Sequence, residues 1–406
     1  MGAQLAGNAA GTIPDWSGGL AVSPEPPAHP LRDPYPDDQP VFVISASDHA
    51  LHAAQLAAGH RALFAKYPSY RMAVFPTRRS VAFPDAVYAA TAGNRGRVKL
   101  KGADALAGAR LGVPFPEPRS GVEVLWNHRL RYRGDSTEWR YQRATIVAGE
   151  RRLGRSLERI LFGYGNLRRT ARADMHSYNL LHIKPAPPYP DVTAVWHDSI
   201  NPLQSPRKIW AGSAGLGGRA MRNPPVGYDE VGLFTERIRY FDMVDMFSGG
   251  FDRYVFRLLG KREVYVPYNA HRLARDSIEA AGPRHLSGRN ARYELHRVWL
   301  VEATLRPGET HSVARRLFYV DEDSWSILLV DGYDAARRLI RFQEGHLLPL
   351  EAIQAVDYAP IVTYDLPAER YFVDRLLADS PAPKLNAGFE PSDFLPRAAK
   401  LAYPLP

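Results

Sequence analysis

The sequence predicts a mainly antiparallel β (α+β) fold built on a curved, open sheet, and three observations carry that expectation. Residues 291–334 alternate apolar and polar side chains over three runs joined by two short turns, the period of a sheet with one dry face. The 406 residues include 34 prolines and 32 glycines, which suits sheets and long ordered loops better than helical bundles. Only residues 47–67 carry clear helical spacing.

Along the chain, residues 11–40 hold Pro14, Pro24, Pro26, Pro27, Pro30, Pro34, Pro36 and Pro40, an extended arm that becomes ordered by lying over something else. The helix at 47–67 has Ser47 as N-cap, Leu51, Leu56, Leu63, Phe64 and Tyr67 at helical spacing, and Pro68 as its stop. Residues 121–133 and 136–148 read as the opening strands, and 192–198 and 207–211 as short ones inside an irregular middle, 149–246. Residues 253–268 form a hairpin-like unit across a bend or bulge at Gly260. In the 291–334 meander, Arg306-Pro307-Gly308-Glu309 and Asp321-Glu322-Asp323-Ser324 supply the turns. Residues 338–342, 358–364 and 370–373 continue the sheet. The expected organisation is one structural domain: an arm plus helix over 1–120, an open antiparallel barrel over 121–379, and a tail over 380–406.

The composition, 45% hydrophobic and 23% charged, is that of a globular chain with a sizeable core. A formal charge of +9 suits anionic partners without selecting one. With 0 cysteines there are no disulfides, thiolate metal sites, cysteine nucleophiles or lipid-bearing cysteine. No apolar run approaches the ~20 residues of a membrane helix, so no integral membrane span is expected. The opening residues lack the pattern of a signal peptide, which leaves a cytoplasmic protein or a mature one whose export signal has been removed.

Few motifs carry chemistry. Gly215-Leu216-Gly217-Gly218-Arg219-Ala220 fits a relaxed dinucleotide fingerprint, but Asn223-Pro224-Pro225 forbids the helix that must follow. Asp321-Glu322-Asp323 lacks the ligand spacing of a calcium loop and reads as a solvated turn. Glu294, His296 and Glu302 share one strand face, a minimal requirement for metal binding or acid–base work, yet that face is expected to be the wet one. Asp242, Asp245 and Asp252 form a second acidic cluster. The aromatic and basic run at 126–134 equally describes a half-buried strand, and no nucleic-acid signature accompanies it. No catalytic motif, metal site or cofactor is therefore expected, and nucleic acid is not an expected partner.

The apolar stripes remain. With one helix to cover so much sheet, a leftover cavity is expected, walled by Trp139, Tyr141, Tyr254, Phe256, Leu258, Tyr293, Leu295, Trp299, Val301, Phe318, Trp325, Ile327 and Leu329. A cavity filled by the chain's own arm would instead mark a scaffold, and convergence of Glu294, His296 and Glu302 an enzyme acting on a hydrophobic substrate.

The segments AGNAAGTIPDWSGG (around 7–19), FPTRRS (75–80), GVPFPEPRSGVEVLWNH (112–128), DRYVFRLLGKREVYVPYN (252–269), RYELHRVWLVEATLR (292–306) and FYVDEDSWSILLVDGYD (318–334) resemble, in order and over nearly the whole chain, the proteobacterial domain-of-unknown-function family numbered thirteen twenty-nine, often labelled outer-membrane lipoprotein-sorting-like. The resemblance implies a periplasmic protein with an open β-barrel related to the carriers LolA and LolB, partly wrapping a helix and binding acyl chains. It also implies work alongside outer-membrane and resistance-nodulation-division-type export proteins, with no catalytic residues to carry over. Members tend to have an Arg-rich stretch after the tryptophan strand; here Trp210 is followed by only Arg219 and Arg222. The expectation is a periplasmic carrier for a lipid-like or other hydrophobic small molecule.

Overall fold

The computed structural model describes residues 1–23, 31–202, 204–213, 230–232, 234–275, 280–378 and 380–396. The chain opens with β1 (Phe42–Ile44), a 3-10 turn over His49–Gln55, α1 (Ala58–Lys66), β2 (Met72–Val74), α2 (Asp85–Asn94), the hairpin β3 (Lys99–Lys101) and β4 (Ala105–Ala107), and α3 (Gly121–Arg129). Five long strands follow: β5 (Ser136–Val147), β6 (Glu150–Phe162), β7 (Met175–Lys184), β8 (Val192–Ser199) and β9 (Lys208–Ser213). The second half holds β10 (Tyr254–Pro267), α4 (His271–Arg275), β11 (Tyr293–Leu305), β12 (Arg315–Asp321), β13 (Ile327–Tyr333), β14 (Leu339–Leu350), β15 (Ala355–Asp365), β16 (Arg370–Leu376) and β17 (Lys384–Leu385).

The chain is mostly β, and its main sheet is open. Twelve strands pair antiparallel in the spatial order β10 through β16, then β5 through β9. Among the described residues β9 and β10 do not pair, so the sheet has two edges. The join is β16 on β5, where Tyr371 faces Ile146 and Val373 faces Ala144.

The expected meander at 291–334 is β11, β12 and β13, closed by the expected turns: Glu309 N–H donates to Arg306 O at 3.1 Å and Trp325 N–H to Asp321 O at 2.9 Å. Residues 253–268 are one strand, β10, instead of a hairpin-like unit. Its register against β11 shifts between Leu258 and Gly260, and Gly260 takes φ +98°, a conformation that a side chain would strain.

Three expectations change. The segment 47–67 is a 3-10 turn followed by α1, because the Asp331 carboxylate on β13 accepts the Ala58 and Gly59 N–H groups at 3.1 and 2.8 Å. An anion supplied by the sheet thus sets a new helix start there. Residues 121–129 form α3 and not a strand. Ser120 Oγ accepts Glu123 N–H at 3.3 Å and the Glu123 carboxylate accepts Arg119 N–H, a cap that overrides the apolar alternation. Lastly, the middle read as irregular contains β6 and β7, of 13 and 10 residues. Charged side chains such as Arg151, Arg152 and Arg155 at the start of β6 hide its period.

The first residues of the arm, Gln4 to Gly7, and the helices α1 and α3 land on the β10–β16 half, and residues 24–30 of the arm lie outside the described residues. Helix α1 packs against β13 and β14, and α3 against β10 and β11. A Cβ on Gly121 would stand 2.8 Å from Val301 Cγ1, so only glycine permits this approach of α3. The tail reaches the other half from outside: Phe394, 0% exposed, packs with Tyr178, Leu180 and Val195, and its carbonyl accepts from His197 Nε2 at 2.9 Å.

Candidate ligand cavity

Strands β5 to β8 show the face opposite Phe394 to a cavity of about 340 Å³, within the range of small-molecule sites. Period two sorts the side chains. On β7, Tyr178 and Leu180 go to the tail, while Ser177, Asn179, Leu181 and Ile183 line the cavity. On β8, Val195 goes to the tail and Ala194, Trp196 and Asp198 to the cavity. Ile160 and Phe162 on β6 and Tyr141 on β5 complete the floor, and the segment from Gly232 to Asp252 closes the far side with Phe241, Val244 and Phe247.

The register orders these residues into rows. Asp198 faces Ser177, Trp196 faces Asn179, Ala194 faces Leu181, and Val192 faces Ile183. From the row of Trp196 to the row of Ile183 is four residues of β7, roughly 13 Å of mostly apolar floor. Ion pairs bound it on either side. Beyond Trp196, Arg207 holds Asp198 at 2.5 Å, and Arg131 and Arg133 hold Asp245 at 2.6 and 3.4 Å. Beyond Tyr141, Arg143 and Arg239 hold Asp374 at 3.3 and 2.6 Å.

These charges are settled by their partners. Burial opposes the Asp374 anion, but Arg143 and Arg239 hold its carboxyl down at about 2. Asp245 is held far below the usual carboxylate range, the two arginines outweighing its burial. Burial pushes Glu158 up, against the pull of Arg375. His176 is pushed down to about 4 by burial, so it stands as a neutral imidazole at pH 7. Its Nδ1 lies 3.2 Å from Ser177 Oγ, the nearest approach to a nucleophile–base pair in the cavity. No described group hydrogen-bonds its Nε2 to orient the ring. The chemistry on offer is an apolar slot between belts of ion pairs.

Of the thirteen residues expected to wall a cavity, Tyr141 lines this one. Trp139 lies on the same strand and is 1% exposed, with the Arg375 guanidinium 5.6 Å from its ring centre. The others sit in the packed half. Tyr254, Phe256, Tyr293, Val301, Phe318, Trp325, Ile327 and Leu329 are buried in the main core, and Leu258, Leu295 and Trp299 pack against it. Trp299 stacks on Trp325 at 6.1 Å. The floor residues of β6 and β7 fell within the stretch read as irregular; the alternation of Ser177, Asn179, Leu181 and Ile183 against Tyr178, Leu180 and His182 was the available signal.

The expected wet face of β11 is dry where it matters. Arg292, Glu294 and His296 are 3%, 0% and 2% exposed, because residues 76–80 cover them: Arg78 N–H donates to Glu294 Oε2 at 2.8 Å and Thr77 Oγ1 to Leu295 O at 2.8 Å. Glu302 turns elsewhere, to Arg257 and Arg315, both at 2.7 Å, so the trio does not converge. The turn Asp321 to Asp323 is likewise buried, not solvated. Asp242, Asp245 and Asp252 border the cavity; Asp242 pairs with Arg316 at 2.5 Å. Arg131 and Arg133, expected on a strand face, point inward and are buried. The glycine run 215–220, with Arg219 and Arg222, lies outside the described residues.

A family model described as "Protein of unknown function (DUF1329)" matches residues 43–399. An uncharacterized protein of Pseudomonas aeruginosa is 35% identical over 419 residues, spanning 98% of this chain and 90% of that protein. Two crystal structures are similar at 12% identity: a DUF1329 family protein from Desulfovibrio piger, covering 66% of this chain and 92% of that one with TM-score 0.44, and a putative outer membrane lipoprotein-sorting protein domain from Vibrio parahaemolyticus, covering 69% and 98% with TM-score 0.47. Among the described residues no helix is long and apolar enough to cross a membrane.

Proposed function

We propose, for a chain that belongs to the DUF1329 family of proteins of unknown function, that the β5–β8 cavity binds and carries a hydrophobic small molecule such as a single acyl chain. One observation supports this reading: the mostly apolar floor of Tyr141, Ile160, Leu181, Ile183, Ala194 and Trp196 lines an unfilled cavity, while the core side of β10 to β14 is packed by the chain itself. Each buried methylene contributes roughly 0.8 kcal/mol, so a partly enclosed chain binds usefully and still leaves. The sheet then serves as an open barrel of the LolA/LolB kind, working in the periplasm for outer-membrane transport beside outer-membrane or resistance-nodulation-division-type export proteins.

Mass spectrometry of solvent extracts from the purified protein, with a fluorescent fatty-acid titration, tests the carrier. A co-purifying amphiphile and saturable binding are expected; neither in either assay sinks it. Osmotic-shock fractionation tests the compartment, and recovery only with cytosolic markers would overturn it. A scaffold role draws on a different observation, the filling of the β10–β16 half by the arm and helices. It gains if the fatty acid fails to bind while the intact protein captures an export component.

A further inference from the structure

The buried cluster on the far half joins two sequence signals that separately pointed nowhere, His296 on β11 and the turn Asp321 to Asp323 after β12. One donor atom from each of His296, Asp321 and Asp323 lies within 4.8 Å of the others. All three residues are buried, at 2%, 0% and 6% exposure.

The surrounding groups hold all three side chains in place and leave one buried oxygen, Asp321 Oδ1, without a hydrogen-bond partner among the described residues. Glu294 Oε2 stands 3.1 Å from His296 Nε2, and Glu294 is itself fixed by Asn269 Nδ2 at 2.8 Å and Arg292 Nε at 2.5 Å. The Glu294 carboxylate at Nε2 orients the ring and turns Nδ1 toward Asp321, where a bound cation would take the place of a proton. Tyr268 stacks on the imidazole at 3.9 Å and fixes its plane. Asp321 Oδ2 accepts Tyr268 OH at 3.1 Å, Ser324 N–H at 2.9 Å and Ser324 Oγ at 2.6 Å. Its Oδ1, fully buried, has no hydrogen-bond partner among the described residues. Asp323 is steadied by Arg79, through Nε at 3.0 Å and Nη2 at 2.7 Å.

The orphan Oδ1 faces His296 Nδ1 at 3.6 Å. That is too long for a hydrogen bond. It is close to the separation of two ligands that each sit about 2 Å from one ion. We propose that His296, Asp321 and Asp323 bind a divalent first-row transition cation, zinc being the simplest fit, with Glu294, Tyr268, Ser324 and Arg79 as the groups that orient the ligands. A nitrogen ligand beside two carboxylates disfavours magnesium and calcium, which take oxygen. Around the cluster Arg79 pairs with Asp323 and Glu322, Arg292 with Glu294, and Arg297 and Lys261 with Glu322, so among the described residues of the cluster Asp321 is the buried carboxylate with no arginine or lysine partner.

Carbonyls of Gln4, Leu5, Ala6 and Gly7 accept from Arg79 and Arg297 and roof the cluster, so the ion enters as the chain folds. The test is therefore refolding of the full chain with zinc, magnesium or EDTA, then gel filtration, elemental analysis and thermal melting. About one zinc per chain and a higher Tm with zinc than with magnesium are expected. Asp321→Asn, which keeps the side-chain size, should lose the bound zinc while keeping a native near-ultraviolet circular dichroism spectrum. Less than about a tenth of an equivalent in the wild type, or an unchanged equivalent in Asp321→Asn, overturns the site. Should the variant fail to fold, the wild type refolded with cobalt(II) decides: visible d–d bands of a nitrogen and oxygen site support it, and their absence overturns it.

Discussion

The two halves of the sheet are built from the same strand period and end in opposite states. In the β10–β16 half, Phe318, Trp325, Ile327 and Leu329 are all 0% exposed, with α1, α3 and the opening segments laid on them. In the β5–β9 half, Leu181 and Trp196 stay half-buried over an unfilled cavity. Strand alternation therefore announces an apolar face and leaves open whether that face becomes core or cavity wall. The deciding factor is which covering segment arrives from far along the chain.

Acid should widen the contrast most. His128 on α3, His271 on α4 and His346 on β14 are 1%, 4% and 0% exposed, and burial pushes them down to about 3, 4 and 4. All three are neutral when folded, while the unfolded chain takes up protons below about pH 6.5. Their contribution is complete above that pH and is lost as the pH falls toward 4. Roughly 6 kcal/mol in sum by pH 5 follows from one unit being worth about 1.4 kcal/mol. His176 on β7, also down at about 4, puts one such group in the cavity half against three in the packed half; hydrogen exchange at pH 5 should then show α3, α4 and β14 losing protection before β6 to β8, and the reverse order would break the contrast.

Next in size, Phe318→Ala should cost about 3–5 kcal/mol in urea unfolding, and Leu181→Ala under about 1 kcal/mol, since a cavity wall leaves no new void when trimmed. Equal losses would mean that the two faces are packed alike. Smaller again is Ala194→Phe. It places a ring in the cavity, so fluorescent fatty-acid affinity should fall at least tenfold while stability moves by less than about 1.5 kcal/mol. Least is Arg257→Ala, which removes a 69% exposed partner of Glu302 and should shift stability by under about 1 kcal/mol.

Much of this was legible from the residues alone, and the failures have physical causes. Strand β11 reads cleanly because Tyr293, Val301 and Ala303 alternate with Glu294, Glu302 and Thr304. Strand β6 does not, because its first residues carry charge on both faces where the strand runs past its cover. Helix α3 shows apolar alternation, and its identity lies instead in Ser120 and Glu123 at capping distance. The cavity floor was missed for a further reason. What leaves Leu181 and Trp196 uncovered is the landing of α1 and α3 on the other half, an outcome of long-range packing that no local window contains. The same holds for Glu294, whose strand face looks solvent-exposed in the sequence pattern until residues 76–80 close over it.

The pairing of β16 on β5 has a consequence for biosynthesis. A ribosome releases the cavity half first, and β5 then waits for Tyr371 and Val373, some two hundred residues downstream, to occupy its open side. Contacts so distant in sequence are slow to form and leave a sticky strand bare in the nascent chain. A chain cut before Arg370 keeps every residue of the β6–β8 floor and lacks the strand that pairs with β5. The cavity half is thus complete as sequence long before it is covered as structure, because the strand that pairs with β5 comes from near the end of the chain.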